Sequence, residues 1–89
     1  YGEIDLIARD GDQLVFCEVK TRTEDGIGTP GEAVSLSKQK KLTAAALSYL
    51  SEHPSGLQPR LDVVEVTLSG GNGAVLSVEH LKNAFSAQQ

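Results

Sequence analysis

Eighty-nine residues, 39% of them hydrophobic and 22% charged, describe one small domain with a single core and little margin. No apolar run approaches the length of a membrane span, and the one cysteine, Cys17, cannot form an internal disulfide. A transmembrane helix and a disulfide-built secreted scaffold are thereby excluded, and a cytoplasmic protein is expected. The formal net charge of −4 argues against indiscriminate nucleic-acid binding, yet the charge is unevenly spread. Glu3, Asp5, Asp10, Asp12 and Glu18 against Arg9 leave residues 1–19 at −4, whereas Lys20, Arg22, Lys38, Lys40 and Lys41 against Glu24, Asp25 and Glu32 leave residues 20–41 at +2.

The first element predicted is a hairpin. Two β-rich runs, Ile4–Ala8 and Leu14–Val19, flank Asp10-Gly11, a strong turn signal. A turn of Asp10 and Gly11 alone pairs residues whose numbers sum to 21; a four-residue loop over 10–13 makes the sum 23. In either register an odd residue faces an even one, so Glu3 and Asp5 share a face with Glu18, Lys20 and Arg22. The other face, Ile4, Leu6 and Ala8 against Val15, Cys17 and Val19, is expected to be core, with Cys17 a buried thiol.

Residues 23–31 form a Gly-rich loop in which Pro30 opposes helix in the residue before it. Gly26, Gly28 and Gly31 make a G-x-G-x-x-G string, but a dinucleotide site fails on context. The preceding strand is charged, and an acidic residue about 20 positions further on, ending the next strand, is missing. A helix follows, capped at Ser35 or Ser37 and running to His53. Leu42, Ala45, Ala46, Tyr49 and Leu50 recur at helical spacing and should pack on the sheet. Lys38 and Gln39 fall in its first turns, either as solvated side chains or facing a negative partner. Pro54-Ser55-Gly56 ends the helix. Leu61–Leu68 is the next strand, reached through a helical crossover and so parallel to the strand ending at Arg22. Ser69–Gly73 turns the chain, Ala74–Glu79 returns antiparallel, and a short helical turn is expected over 80–85. His53 and His80 are isolated and are assigned no chemistry.

Like charges facing each other across a sheet are destabilising. Three carboxylates with one ammonium on a single hairpin face are either a solvated outer face, with Lys20 offsetting Glu18, or a divalent-metal site. Mg²⁺ favours one or two carboxylates, several waters and phosphate oxygens, and a nearby lysine suits a role toward an attacking water.

Gly2-Glu3-Ile4-Asp5-Leu6-Ile7, followed by Phe16-Cys17-Glu18-Val19-Lys20-Thr21-Arg22, resembles the YraN family of bacterial proteins. That family is similar to the PD-(D/E)XK nucleases, the restriction-endonuclease-like and Holliday-junction-resolvase-like group. The resemblance extends through Ala33-Val34, Lys38-Gln39, Leu61-Asp62-Val63-Val64 and Asn83-Ala84-Phe85. It implies an α/β fold, a restriction-endonuclease-like mixed sheet built from hairpin, crossover helix, strand and return strand. It also implies a metal site of Asp5, Glu18 and the Val19 carbonyl holding Mg²⁺ or Mn²⁺, with Asp5, Glu18 and Lys20 catalytic. Glu3, Arg22, Lys38 and Gln39 would be substrate-binding, and Asp62 matches an acidic position that also reads as a strand-end hydrogen-bonding residue. Members of the family carry a helix and a strand before the G-E-I-D segment, so residues 1–89 are expected to be one domain lacking those elements.

The leading expectation is therefore a metal-dependent DNA endonuclease hydrolysing phosphodiesters. A nuclease fold that binds nucleic acid without cutting it, and an assembly module of another DNA-processing protein, are the competing readings. The exposed sheet edge is expected to support a homodimer, formed through that edge or the apolar face beside it.

Overall fold

The computed structural model describes residues 4–24 and 35–84. Glu3, the Gly26–Gly31 string, Ala33, Val34 and Phe85 lie outside the described residues. The elements are β1 (Leu6–Asp10), β2 (Gln13–Thr23), α1 (Leu36–Glu52), β3 (Gln58–Leu68) and β4 (Val75–Leu81). They form an α/β fold with one four-stranded mixed sheet in the order β1-β2-β3-β4. The outer pairs are antiparallel and the central pair, β2 with β3, is parallel as the crossover requires.

The hairpin adopts the register that sums to 23, from Leu6 opposite Cys17 to Asp10 opposite Gln13. Its turn is not the expected one. Asp10 still belongs to the ladder, and Gly11 and Asp12 are the two central residues, without the four-residue loop that this register seemed to need. Gly11 has φ +61°, the first central position at which a II′ turn places glycine.

Helix α1 begins as the serine signal predicts: Ser35 is extended and its side chain accepts the Lys38 N–H at 3.2 Å. His53 closes the other end, its N–H donating to the Tyr49 carbonyl. Leu42 and Ala46 pack on Phe16 and Leu61, with Ile4, Leu14, Tyr49 and Leu50 around them. The Tyr49 ring meets Phe16 edge-on, centroids 5.7 Å apart.

This packing corrects the expected core. Phe16 is on the even-numbered face of β2, so α1 covers the face that carries Glu18 and leaves the other, the open face, without a helix among the described residues, although Val15, Cys17, Arg60 and Asp62 on it are buried. The residues assigned to the core divide accordingly. Val15 and Cys17 are buried and Ile4 joins the helix-side cluster, but Leu6 is 53% and Val19 41% exposed. Both faces of β2 are apolar at several positions, and alternation alone cannot say which one the crossover helix selects. The predicted turn over 80–85 is also corrected: β4 continues through Leu81, with His80 opposite Val64, and among the described residues that follow, 82–83 turn.

Candidate metal and nucleic-acid site

Asp5 stands one step before β1, across from Glu18 by the ladder that pairs Leu6 with Cys17. Its N–H reaches the Cys17 carbonyl at 3.3 Å, and its Oδ2 accepts the Val19 N–H at 2.9 Å. Here β1 departs from the ladder, and the Asp5 carboxylate takes the place of a strand carbonyl at the β2 edge. The two backbone groups of a strand residue leave on the same side, so the Val19 C=O is directed to the edge where Asp5 sits.

Glu18 lies on the helix-covered face and is only 8% exposed. Its Oε2 is buried with no hydrogen-bond partner among the described residues. Burying a carboxylate oxygen without a partner is costly, and native folds retain few such groups. An orphaned, buried oxygen facing a second carboxylate is what a cation would relieve. No group of three or more His, Cys, Asp or Glu side chains suited to a metal exists among the described residues. Two carboxylates with one backbone carbonyl are nonetheless a donor set that fits Mg²⁺, which keeps waters and phosphate oxygens as its other ligands.

Lys20 and Arg22 follow on the same face of β2, both half-buried. Lys20 is paired with Glu65 of β3, and Arg22 Nη1 reaches Glu65 Oε1 at 3.4 Å. The last turns of α1 lie over Leu14 and Phe16, and the crossover returns the helix against the direction of β2 and β3. Its first turn, with Lys38 exposed and Gln39 half-buried, is therefore directed toward the Glu18–Arg22 half of β2. Asp5, Glu18, Val19, Lys20 and Arg22 thus lie in one hairpin, and Lys38 and Gln39 belong to the end of α1 directed toward its second half.

The opposite face holds a second set of charges that the sequence did not disclose. Arg60 grips Asp62 through two parallel contacts, Nε to Oδ1 at 2.9 Å and Nη2 to Oδ2 at 2.8 Å. Its Nη1 reaches Asp10 Oδ2 at 2.9 Å and Gln13 Oε1 at 2.7 Å. Asp62, wholly buried, also accepts the Asn83 N–H on Oδ1 and lies 2.7 Å from His80 Nε2 through Oδ2. Burial pushes its carboxyl up, but Arg60, Asn83 and His80 together hold it below the usual carboxylate range. Asp10 is likewise lowered by its hydrogen bond to Arg60, and burial pushes the Cys17 thiol up. Asp62 is therefore a structural hub, and His80 is not isolated but is held by it. The visible signal was the charged pair Arg60 and Asp62 at i, i+2 in an apolar strand, which puts both on one face. Glu65 carried a similar signal, an acid in the alternation of Leu61 and Val63.

The described part of the chain has no helix long and apolar enough to cross a membrane. A family model described as "Uncharacterised protein family UPF0102" matches residues 1–66. A UPF0102 protein of Rhodococcus opacus (strain B4) is 48% identical over 88 residues, which cover 96% of this chain and 71% of that protein. A UPF0102 protein of Symbiobacterium thermophilum is 51% identical over 87 residues, covering 97% of this chain and 72% of the relative. One from Caldanaerobacter subterraneus is 46% identical over 85 residues, with 94% and 70% covered. With a family model across most of its length and relatives of this similarity, the chain belongs to the UPF0102 family, the YraN family to which its hairpin motifs point.

Proposed function

We propose that the chain carries the site of a metal-dependent nuclease of the cytoplasm that hydrolyses phosphodiesters in DNA. The observation that supports this reading is Glu18: a buried carboxylate whose Oε2 lacks a partner, set across from Asp5 and one residue before Val19. The Asp5 and Glu18 carboxylates with the Val19 carbonyl are the groups to hold Mg²⁺ or Mn²⁺. Such a cation, when bound, supplies charge stabilisation at the phosphate and lowers the pKa of a bound water.

The chain's own residues do the rest. Lys20 Nζ, two positions after Glu18, orients the attacking water toward phosphorus. Arg22 presents its planar guanidinium to phosphate oxygens, a geometry that suits bidentate contact. Lys38 and Gln39 bring N–H donors from the helix layer, and Glu3, two residues before Asp5 in the sequence, is assigned to substrate as well. Helix α1 seals one side of Glu18 from water, which strengthens every charge interaction there.

Incubating branched and linear DNA with the protein and Mn²⁺ tests the reading. Cleavage is expected that disappears in Glu18→Gln and Lys20→Ala, while Lys20→Ala retains cation binding. Cleavage that survives both substitutions, or none with the wild-type protein as found in the cell, would overturn it. Binding of DNA without cleavage would favour the reading as a non-cutting nucleic-acid module.

A further inference from the structure

Glu65 is the second buried carboxylate on the helix-covered face, 4% exposed. It occupies the strand position after Leu61 and Val63, both buried and apolar. A like-charged residue, Glu79 of β4, stands directly opposite it, an arrangement that weakens the sheet. A role in folding alone would favour an apolar side chain here, because replacing a buried ion pair by well-packed hydrophobic residues is often neutral or stabilising. The carboxylate is instead flanked by two cations of β2. Lys20 is its ladder partner, and Arg22 Nη1 lies 3.4 Å from its Oε1. That contact directs the guanidinium toward the Glu65 carboxylate.

We propose that Glu65 is a positioning residue of the nuclease site, holding Arg22 and drawing Lys20 into line so that both face a DNA phosphodiester. The assignment rests on the nuclease reading above. Glu65 belongs to β3, with β2 between it and the edge where Asp5 sits, and is assigned no role as a ligand for the cation.

Glu65→Gln is nearly isosteric and tests this directly. By NMR, the Arg22 Nε–H group is expected to gain fast mobility, and the Lys20 side-chain signals to shift and lose order once the carboxylate is gone. Binding of a short duplex oligonucleotide should weaken about tenfold, the loss of one ordered charged contact. Mn²⁺-induced broadening at Asp5 and Glu18 should stay as in the wild type, and Glu65→Asp should recover part of the affinity. Arg22 Nε–H mobility and Lys20 side-chain order that stay as in the wild type in Glu65→Gln overturn the assignment, whatever happens to cleavage. Signals that move as expected in a protein that cuts no DNA uphold Glu65 as holder of the two cations and overturn the nuclease reading instead.

Discussion

The two faces of the sheet handle buried charge in opposite ways. On the open face, both oxygens of Asp62 are fully engaged by Arg60, His80 and the Asn83 backbone, and the network reaches back to Asp10 and Gln13. On the helix-covered face, Glu18 is buried with one oxygen left over. A saturated network is what a fold uses to fix its strands, because buried polar groups are cheap only when every partner is present. A carboxylate retained without its full set of partners points to a ligand. On the proposed reading, the same two strands, β2 and β3, carry a structural charge on one side and a chemical one on the other.

The sharpest way to break this comparison is Asp62→Asn. Removing the charge leaves Arg60 buried beside a neutral amide, and a loss of about 3–5 kcal/mol is expected in denaturant unfolding. The pH dependence follows with a definite sign. The folded Asp62 carboxyl is depressed, so its stabilisation is present above the unfolded value near 3.9 and is lost as pH falls through the folded value. Acid unfolding below about pH 4 should therefore be less steep in Asp62→Asn than in the wild type.

Association comes next in size. Leu6, Val19 and Val78 share the open face, and Leu6 and Val78 are 53% and 61% exposed. Strand β1 also forms one edge of the sheet. If a second copy covers this region, Leu6→Lys should weaken the dimer by about tenfold or more in sedimentation. A monomer at all concentrations would remove self-association from the account. Loss of the helix cap in Ser35→Ala should cost about 1 kcal/mol. The smallest change in stability belongs to Glu18→Gln, expected near zero or slightly stabilising because an unpaired buried charge is removed. A loss there as large as in Asp62→Asn would erase the distinction between the faces.

Much of this was legible in the residues. Ser35, the apolar spacing of α1 and the Pro54–Gly56 stop fixed the helix ends, and period-two alternation placed Asp5 beside Glu18 in advance. What stayed hidden was non-local. Which face of β2 receives the helix depends on how the crossover packs, and both faces offered apolar residues. Asp10 is drawn into the ladder and into contact with Arg60, which displaces the turn to Gly11-Asp12. His80 looked solitary because its partner, Asp62, lies on a neighbouring strand.

The central parallel pair has a kinetic consequence. Every residue of β2 meets one 45 positions later, from Gln13 with Gln58 to Thr23 with Leu68. The hairpin and α1 form through near neighbours, but this ladder must close a long stretch of chain before any of its bonds reward the closure. The ladder is expected to be the slow step of folding, with Arg60 joining last. Substitutions at Arg60 should then mainly speed unfolding, and those in the α1 cluster around Leu42 and Ala46 should slow folding.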